Sequence, residues 1–319
     1  MKPPPFEYHA PRSLGEALEV LADAGEGGKV LAGGQSLIPL LNMRLAAPAH
    51  LVDINRLDEL ASVDIEPGGD AEPGGDVGPG GDVGPGGDVG PGGGAEPGGV
   101  RVGALARHAR VERSAPVAAA QPLLRRALRL VAHPVIRNRG TVVGSLAHAD
   151  PAAELPAVLR LLGGSVRLAR PGAVRDVPAS AFFTGPLESA IEPGELAVSA
   201  FFPAPPPRSG TAFHELARRH GDYALAGIAA LVVLDDDHRI ASATVAGVSL
   251  GPVPVLLDVT DALGGKPPDS ADWASAARAV RDGIDPDADI HATADYRRHL
   301  AGVLAERALR DAAREAANA

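Results

Sequence analysis

Residues 31–40 read LAGGQSLIPL, two glycines and two small polar residues set between an apolar run and a helical pattern. Without Cβ atoms, Gly33 and Gly34 let the backbone come close to a bulky anion. The N–H groups of Gly34, Gln35 and Ser36 can then point at phosphate oxygens. Pro39 suits the first turn of the helix that follows, and the dipole of a helix start favours an anion by roughly 0.3–1 kcal/mol per contact. A second small-residue turn, residues 140–145 (GTVVGS), follows Arg137-Asn-Arg139 and repeats this chemistry. Read plainly, the first stretch is a tight strand-to-helix turn with no ligand. Asp150-Pro151 reads as the opening of a helix: Asp150 is either its N-cap, with proline at the first helical position, or a hydrogen-bond partner for a ligand hydroxyl. Glu154, one turn on, reads as a solvated carboxylate near a helix start. His148 and Asp150, with one residue between them, make weak metal ligands. Two phosphate-type turns far apart in the chain suit a dinucleotide. Yet no G-x-G-x-x-G follows a strand and no G-x-x-x-x-G-K-[ST] occurs, so neither a Rossmann site nor a P-loop is supported.

The elements that must carry these turns are legible from pattern. Ser13-Leu-Gly-Glu16 is a capping box ahead of an apolar stripe at Leu14, Ala17, Leu18 and Leu21, which predicts a helix to about Ala24. Residues 29–32 read as a strand feeding the first turn, a short helix follows, and residues 51–54 read as a second strand, giving a compact βαβ-like unit. Strands are expected at 61–66 and 100–103. Between them, residues 67–99 carry GGDVGP in tandem, a composition that cannot bury a core and is expected to decorate a hairpin tip. Helices are predicted over 107–113 and 122–131, and strands over 165–169 and 196–202, ended by a proline-rich linker at 203–207. Strands at 211–218, 224–234 and 241–250, then two helices, the last from Ala294 to about Ala316, read as a separate α+β domain.

Composition bounds the function. A chain of 319 residues has room for two or three domains. The net charge of −10 and the lack of a dense Lys/Arg run with interleaved aromatics argue against general nucleic-acid binding. The opening residues have no apolar h-region, and the longest apolar run, 223–234, is too short to span a bilayer, so the expected compartment is the cytoplasm. There are no cysteines. That excludes disulfides, a cysteinyl nucleophile and any all-cysteine iron–sulfur or zinc site.

Residues 32–39 (AGGQSLIP) and 137–154 (RNRGTVVGSLAHADPAAE) together resemble the FAD-binding medium subunit of the molybdenum hydroxylases, the group of aerobic carbon monoxide dehydrogenase and xanthine dehydrogenase. The opening KPPPFEY, Gly194-Glu-Leu196, the stretch RHGDYA at 219–224 and DYRR at 295–298 fit too. Apart from the Gly-Pro insert, the likeness covers nearly the whole chain. The resemblance implies an α+β protein. A two-subdomain FAD-binding domain of the vanillyl-alcohol oxidase (PCMH) type would occupy residues 1–57 and 58–207, with the insertion at 67–99. A C-terminal domain of the CO dehydrogenase flavoprotein type would occupy 211–319.

The same resemblance implies a non-covalent, extended FAD between the subdomains, with Gly33 and Gly34 against its pyrophosphate. Lys29, Val30, Leu31, Ala32, Gly33, Gly34, Gln35, Ser36 and Leu37 would line one side, and Thr141, Gly144, Ser145 and His148 the other. Asp150 and Glu154 would reach polar groups of the ribityl or adenosine portion, and Leu196 would pack near the rings. Tyr223 would approach the isoalloxazine; on its own residues it reads as a half-buried strand aromatic. Two departures stand out. Val143 occupies a position usually held by a second glycine, which predicts a differently shaped turn because valine disfavours positive φ. His214 and Glu215 stand where relatives carry a lysine near Phe213. The implied role is electron transfer: an iron–sulfur small subunit would supply electrons from a molybdenum-cofactor large subunit, in a dimer of heterotrimers. The missing cysteines agree with clusters carried elsewhere. A stand-alone FAD-dependent oxidoreductase and a structural subunit that has lost FAD are the alternatives.

Overall fold

The computed structural model describes residues 2–68 and 98–319. The GGDVGP repeats of the expected hairpin decoration fall in 69–97 and lie outside the described residues.

The first unit contains β1 (Glu7–His9), α1 (Leu14–Ala24), β2 (Gly28–Leu31), α2 (Leu37–Met43) and β3 (His50–Asp53), with a parallel sheet in the order β1-β3-β2. Ser13 caps α1 by accepting from the Glu16 N–H at 3.2 Å. The Glu16 carboxylate returns to the N–H of Arg12 at 2.7 Å, so the reciprocal arm of the cap reaches one residue earlier than a capping box requires. Ala17, Leu18 and Leu21 are buried, and Gly25 ends the helix with a φ of 51°, a positive value that glycine, without a Cβ, adopts readily.

The second unit is built on a mixed-length antiparallel sheet. Its strands are β4 (Val63–Glu66), β5 (Gly99–Gly103), β6 (Ser165–Arg170) and β7 (Ala173–Pro178), with β8 (Phe183–Gly185) and β9 (Glu188–Ser189) as a separate small hairpin and β10 (Leu196–Pro203) central in the order β4-β5-β10-β6-β7. Helices α3 (His108–Arg113), α4 (Ala115–Ala120), α5 (Pro122–Leu128), α6 (Pro134–Arg137), α7 (Val142–His148) and α8 (Glu154–Leu161) fill the connection from β5 to β6, and α9 (Ala179–Phe182) follows β7. Leu123, Leu124, Leu128, Leu146, Leu155 and Leu159 are fully buried in its core. The expected helix over 122–131 stops at Leu128, and the expected single strand at 165–169 is one arm of a hairpin with β7.

The C-terminal unit is an antiparallel meander of β11 (Ser209–Ala217), β12 (Ala224–Leu234), β13 (Ile240–Val248) and β14 (Val255–Asp258), followed by α10 (Thr260–Leu263), α11 (Trp273–Asp282) and α12 (Ala294–Ala317). Its central strand β12 is apolar on both faces because both are covered. Ala226, Ile228, Ala230 and Val232 pack with α11 and α12. Ala229 and the partly buried Leu231 join the core of the second unit, as the period-two alternation of a strand dictates; Ala224, beyond a register shift, joins it too. A bidentate pair from Arg126 to Glu315, both contacts 2.7 Å, fastens α5 to α12. The Arg126 guanidinium also donates to the carbonyl and hydroxyl of Thr211.

Candidate cofactor site

The first glycine turn leaves the C-terminal end of β2, at the edge of the parallel sheet where α/β proteins hold ligands. Gly34 has a φ of 74°, and a Cβ there would lie 3.1 Å from Ile38 and 3.2 Å from Leu31. The side-chain amide of Gln35 donates to the carbonyl of Gly33 at 3.0 Å, and Asn55 Nδ2 donates to the carbonyl of Ala32 at 2.8 Å. With the turn braced in this way, the backbone N–H groups of Gly34, Gln35 and Ser36 donate to no acceptor among the described residues. Three consecutive unpaired donors on a left-handed glycine form an anion nest.

Gly33 also packs against the second motif. A Cβ at Gly33 would stand 2.5 Å from the carbonyl oxygen of Arg139 and 2.8 Å from the Cα of Gly140. On the side where a Cβ would stand, Gly33 is met by backbone of the second motif. Arg107 completes the junction, donating to the Arg139 carbonyl at 2.5 Å and to Asn55 Oδ1 at 2.6 Å. Asn55 in turn bonds Asp53 Oδ1 at 2.6 Å. Burial, then the neighbouring Arg139 cation, holds the Arg107 pKa below its usual value. Asn55 and Arg107 were not singled out from sequence. The available signal was the polar pair Asp53 and Asn55 at the end of an apolar parallel strand.

The second motif is a capped helix start and not a second open turn. Thr141, 2% exposed, accepts from the Gly144 N–H at 3.1 Å. The N–H groups of Val142 and Ser145 donate to the carbonyls of Ala106 and Thr141 at 3.1 and 3.0 Å. Most donors expected to cradle phosphate here are therefore already paired. Val143 is helical and 2% exposed, so no positive φ is asked of it. Gly140 is tied to burial beneath it: its Cβ would meet His108 Nδ1 at 2.9 Å. Gly144, Ser145 and His148 are partly exposed and fall on one side of α7. Burial pushes the His148 pKa down, Asp150 pulls it up, and the Lys29 ammonium acts on it from β2.

Asp150 is not an N-cap. Its Oδ1 accepts from the N–H of Ala152 at 2.8 Å, an Asx turn that delays the helix. The helix α8 starts at Glu154, after extended Ala153. Nor is Glu154 solvated: it is 9% exposed, and burial, with the charge of Glu215 next, raises its pKa to about 8. Burial holds Glu215, on β11, up at about 7, and its Oε2 has no hydrogen-bond partner among the described residues. Tyr223 precedes β12 and is 71% exposed, so it is not a half-buried strand aromatic. Its phenol pKa is raised by desolvation and then by the charges of Asp150 and Glu154. Leu196 opens β10 at 2% exposure, its side chain committed to the main core. His214 pairs with Asp311 at 2.8 Å, so no cation reaches the site from that position.

The residues fit a dinucleotide: an open N–H nest, the Arg107 guanidinium at the junction beside it, a partly exposed face of α7 that the Lys29 charge reaches, and the carboxyl groups of Glu154 and Glu215 where a third domain packs. This arrangement defines a two-lobed FAD-binding flavoprotein. The family model described as the FAD binding domain in molybdopterin dehydrogenase matches residues 4–74 and 94–205, and that of the CO dehydrogenase flavoprotein C-terminal domain matches 211–312. The alpha subunit of the 6-hydroxypseudooxynicotine dehydrogenase complex of Paenarthrobacter nicotinovorans is 37% identical over 97% of this chain and 95% of its own. The beta subunit of caffeine dehydrogenase of Pseudomonas sp. (strain CBB1) is 35% identical over 98% and 96%. The solved structure of reconstituted CO dehydrogenase from Oligotropha carboxidovorans superposes with a TM-score of 0.83, at 31% identity over 98% of this chain and 99% of that one. The chain therefore belongs to the FAD-binding medium subunits of the molybdenum hydroxylase family, oxidoreductase subunits of the CO dehydrogenase and xanthine dehydrogenase type.

Proposed function

We propose that this chain is the electron-transfer subunit of a cytoplasmic molybdenum hydroxylase, working beside an iron–sulfur small subunit and a molybdenum-cofactor large subunit in a dimer of heterotrimers. It receives electrons from the iron–sulfur subunit and delivers them to an external acceptor. Bound FAD supplies the redox chemistry; the protein supplies placement and electrostatics. The observation that carries the reading is the unpaired N–H triad of Gly34, Gln35 and Ser36 next to the junction that the Arg107 guanidinium braces.

In this reading the triad binds the pyrophosphate while Val30, Leu31, Ala32 and Leu37 line the same wall. Gly144, Ser145 and His148 line the facing wall, with Thr141 holding the start of α7 in place. Asp150 accepts a ligand hydroxyl. Glu154, protonated near neutral pH, donates a hydrogen bond instead. Tyr223 closes over the isoalloxazine side. The FAD-binding lobes take residues 1–57 and 58–207, and the closing domain 211–319. The absence of cysteine from the sequence is consistent with clusters supplied by another chain. The relatives described above are named for different oxidised molecules, which supports substrate choice residing in a partner.

The test is purification of the native assembly through a tag on this chain. Three polypeptides in equal amounts, with FAD, iron and molybdenum, are expected. A flavin-loaded chain that purifies alone, free of both metals, would contradict the proposal.

A further inference from the structure

β1 and β3 are parallel neighbours, with Glu7 opposite His50 and His9 opposite Val52. Alternate residues of a strand share a face, so Glu7 and His9 stand on one side of β1 with His50 beside them. His9 Nε2 lies 3.1 Å from His50 Nδ1. Glu7 offers Oε2 at 3.6 Å from His50 Nδ1 and Oε1 at 3.9 Å from His9 Nε2. One ligand atom from each residue lies within 4.8 Å of the others. Ligands bound tetrahedrally at the zinc–nitrogen distance stand about 3.3 Å apart; the imidazole pair is close to that value, and a small rotation of the exposed Glu7 side chain brings one carboxylate oxygen within reach of the same ion.

We infer that Glu7, His9 and His50 form a site for a divalent transition-metal ion of the zinc class. Two imidazoles and one carboxylate are a donor set suited to such an ion. The imidazoles are 23% and 32% exposed and so held in place, whereas Glu7, at 68%, is free to close onto an ion arriving from solvent. Water takes the remaining position. The ion cross-links the three-residue strand β1 to β3. Tyr8, between Glu7 and His9, bonds Asp53 Oδ2 at 2.7 Å, and Asp53 bonds Asn55 of the nest. Occupancy therefore stiffens the sheet on which the nest is built, without contact between the ion and the nest.

The full, untagged chain, loaded with FAD and stripped by a chelator, is titrated with Zn²⁺ by calorimetry and with Co²⁺ by visible absorption. One equivalent of each is expected at this site, with tetrahedral Co²⁺ bands and a rise in melting temperature. His9→Ala and His50→Ala should each weaken Zn²⁺ binding by at least about tenfold, since even outer-shell changes cost that much. Glu7→Gln, at an exposed position that leaves the fold intact, should weaken it as well, with flavin content unchanged in all three. Absence of Zn²⁺ binding by the parent chain, or parent-like binding by Glu7→Gln and both histidine variants, would overturn the assignment.

Discussion

The carbonyl oxygen of Arg139 faces the α-carbon of Gly33 so closely that a Cβ there would lie 2.5 Å away. The two glycine motifs, far apart in the chain, therefore touch backbone to backbone. In the proposed reading the flavin site is built around that junction, which has no room for a side chain at Gly33.

Gly33→Val should damage both the fold and the cofactor affinity. Overpacking of this kind costs roughly 1–3 kcal/mol, which should lower the melting temperature of the FAD-free chain as well as weaken FAD binding. Differential scanning calorimetry of the apoprotein and fluorescence titration with FAD separate the two effects. If Gly33 served the pyrophosphate alone, the apoprotein melting temperature would not move.

Arg107→Lys should weaken FAD binding even though the charge is kept. The guanidinium reaches Arg139 and Asn55 at once, and a lysine ammonium lacks that fork. Loss of a charge-assisted bond is worth about 1.5 kcal/mol at the lower end of the usual range, roughly tenfold in affinity. A dissociation constant equal to that of the parent chain would show that Arg107 does not brace the site.

The buried carboxyl groups predict stability that falls with rising pH. Glu154 and Glu215 ionise near 4.5 in an unfolded chain but near 8 and 7 in the folded one. Between these values the folded state keeps protons that the unfolded state has released, so their contribution falls as pH rises from about 4.5 and levels once both have ionised, above about 8. His108, held neutral down to about 4 by burial, acts in the opposite direction up to its ordinary value of 6.5, so it offsets part of the decline there and none of it above pH 7. Glu154→Gln should flatten the decline and melt higher than the parent at about pH 8.5. Parallel curves of melting temperature against pH for the two proteins would refute this.

Replacing residues 69–97 with a short Gly-Ser turn should be nearly neutral. Glu66 pairs with Gly99 across the β4–β5 ladder, and a Cβ on Gly98 would lie 2.6 Å from the N of Gly68. The ends are therefore adjacent. Loop-closure entropy changes by only about 0.6 kcal/mol per doubling of length. Thermal melting and flavin content should match the parent; a chain that loses FAD would give the repeat a role in the site.

Much of this was legible where local chemistry decides the outcome. Ser13 and Glu16 announce α1, and the unbroken apolar run of β12 announces a strand covered on both faces. Where long-range packing decides, the sequence was silent. Glu154 resembles any acidic residue at a helix start until β11, distant in the chain, brings Glu215 against it. The β7 strand was missed because its outward side chains are charged, with Arg167 and Asp176 paired across the hairpin at 2.8 Å, so no apolar alternation marks it. Asp150-Pro151 matches a helix opening in sequence, but the Asp150 side chain closes a turn first. The nest itself could be read from Gly33 to Ser36; its bracing by Asn55 and Arg107 could not.

The electron-transfer role is tested most directly by anaerobic flavin absorbance. The isolated flavin-loaded chain and the complete complex are each mixed with the organic substrate that the complex oxidises, and bleaching of the flavin is followed. Rapid bleaching in the complex and none in the isolated chain is the expected result. Rapid bleaching of the isolated chain would contradict the account and make this protein an oxidoreductase in its own right.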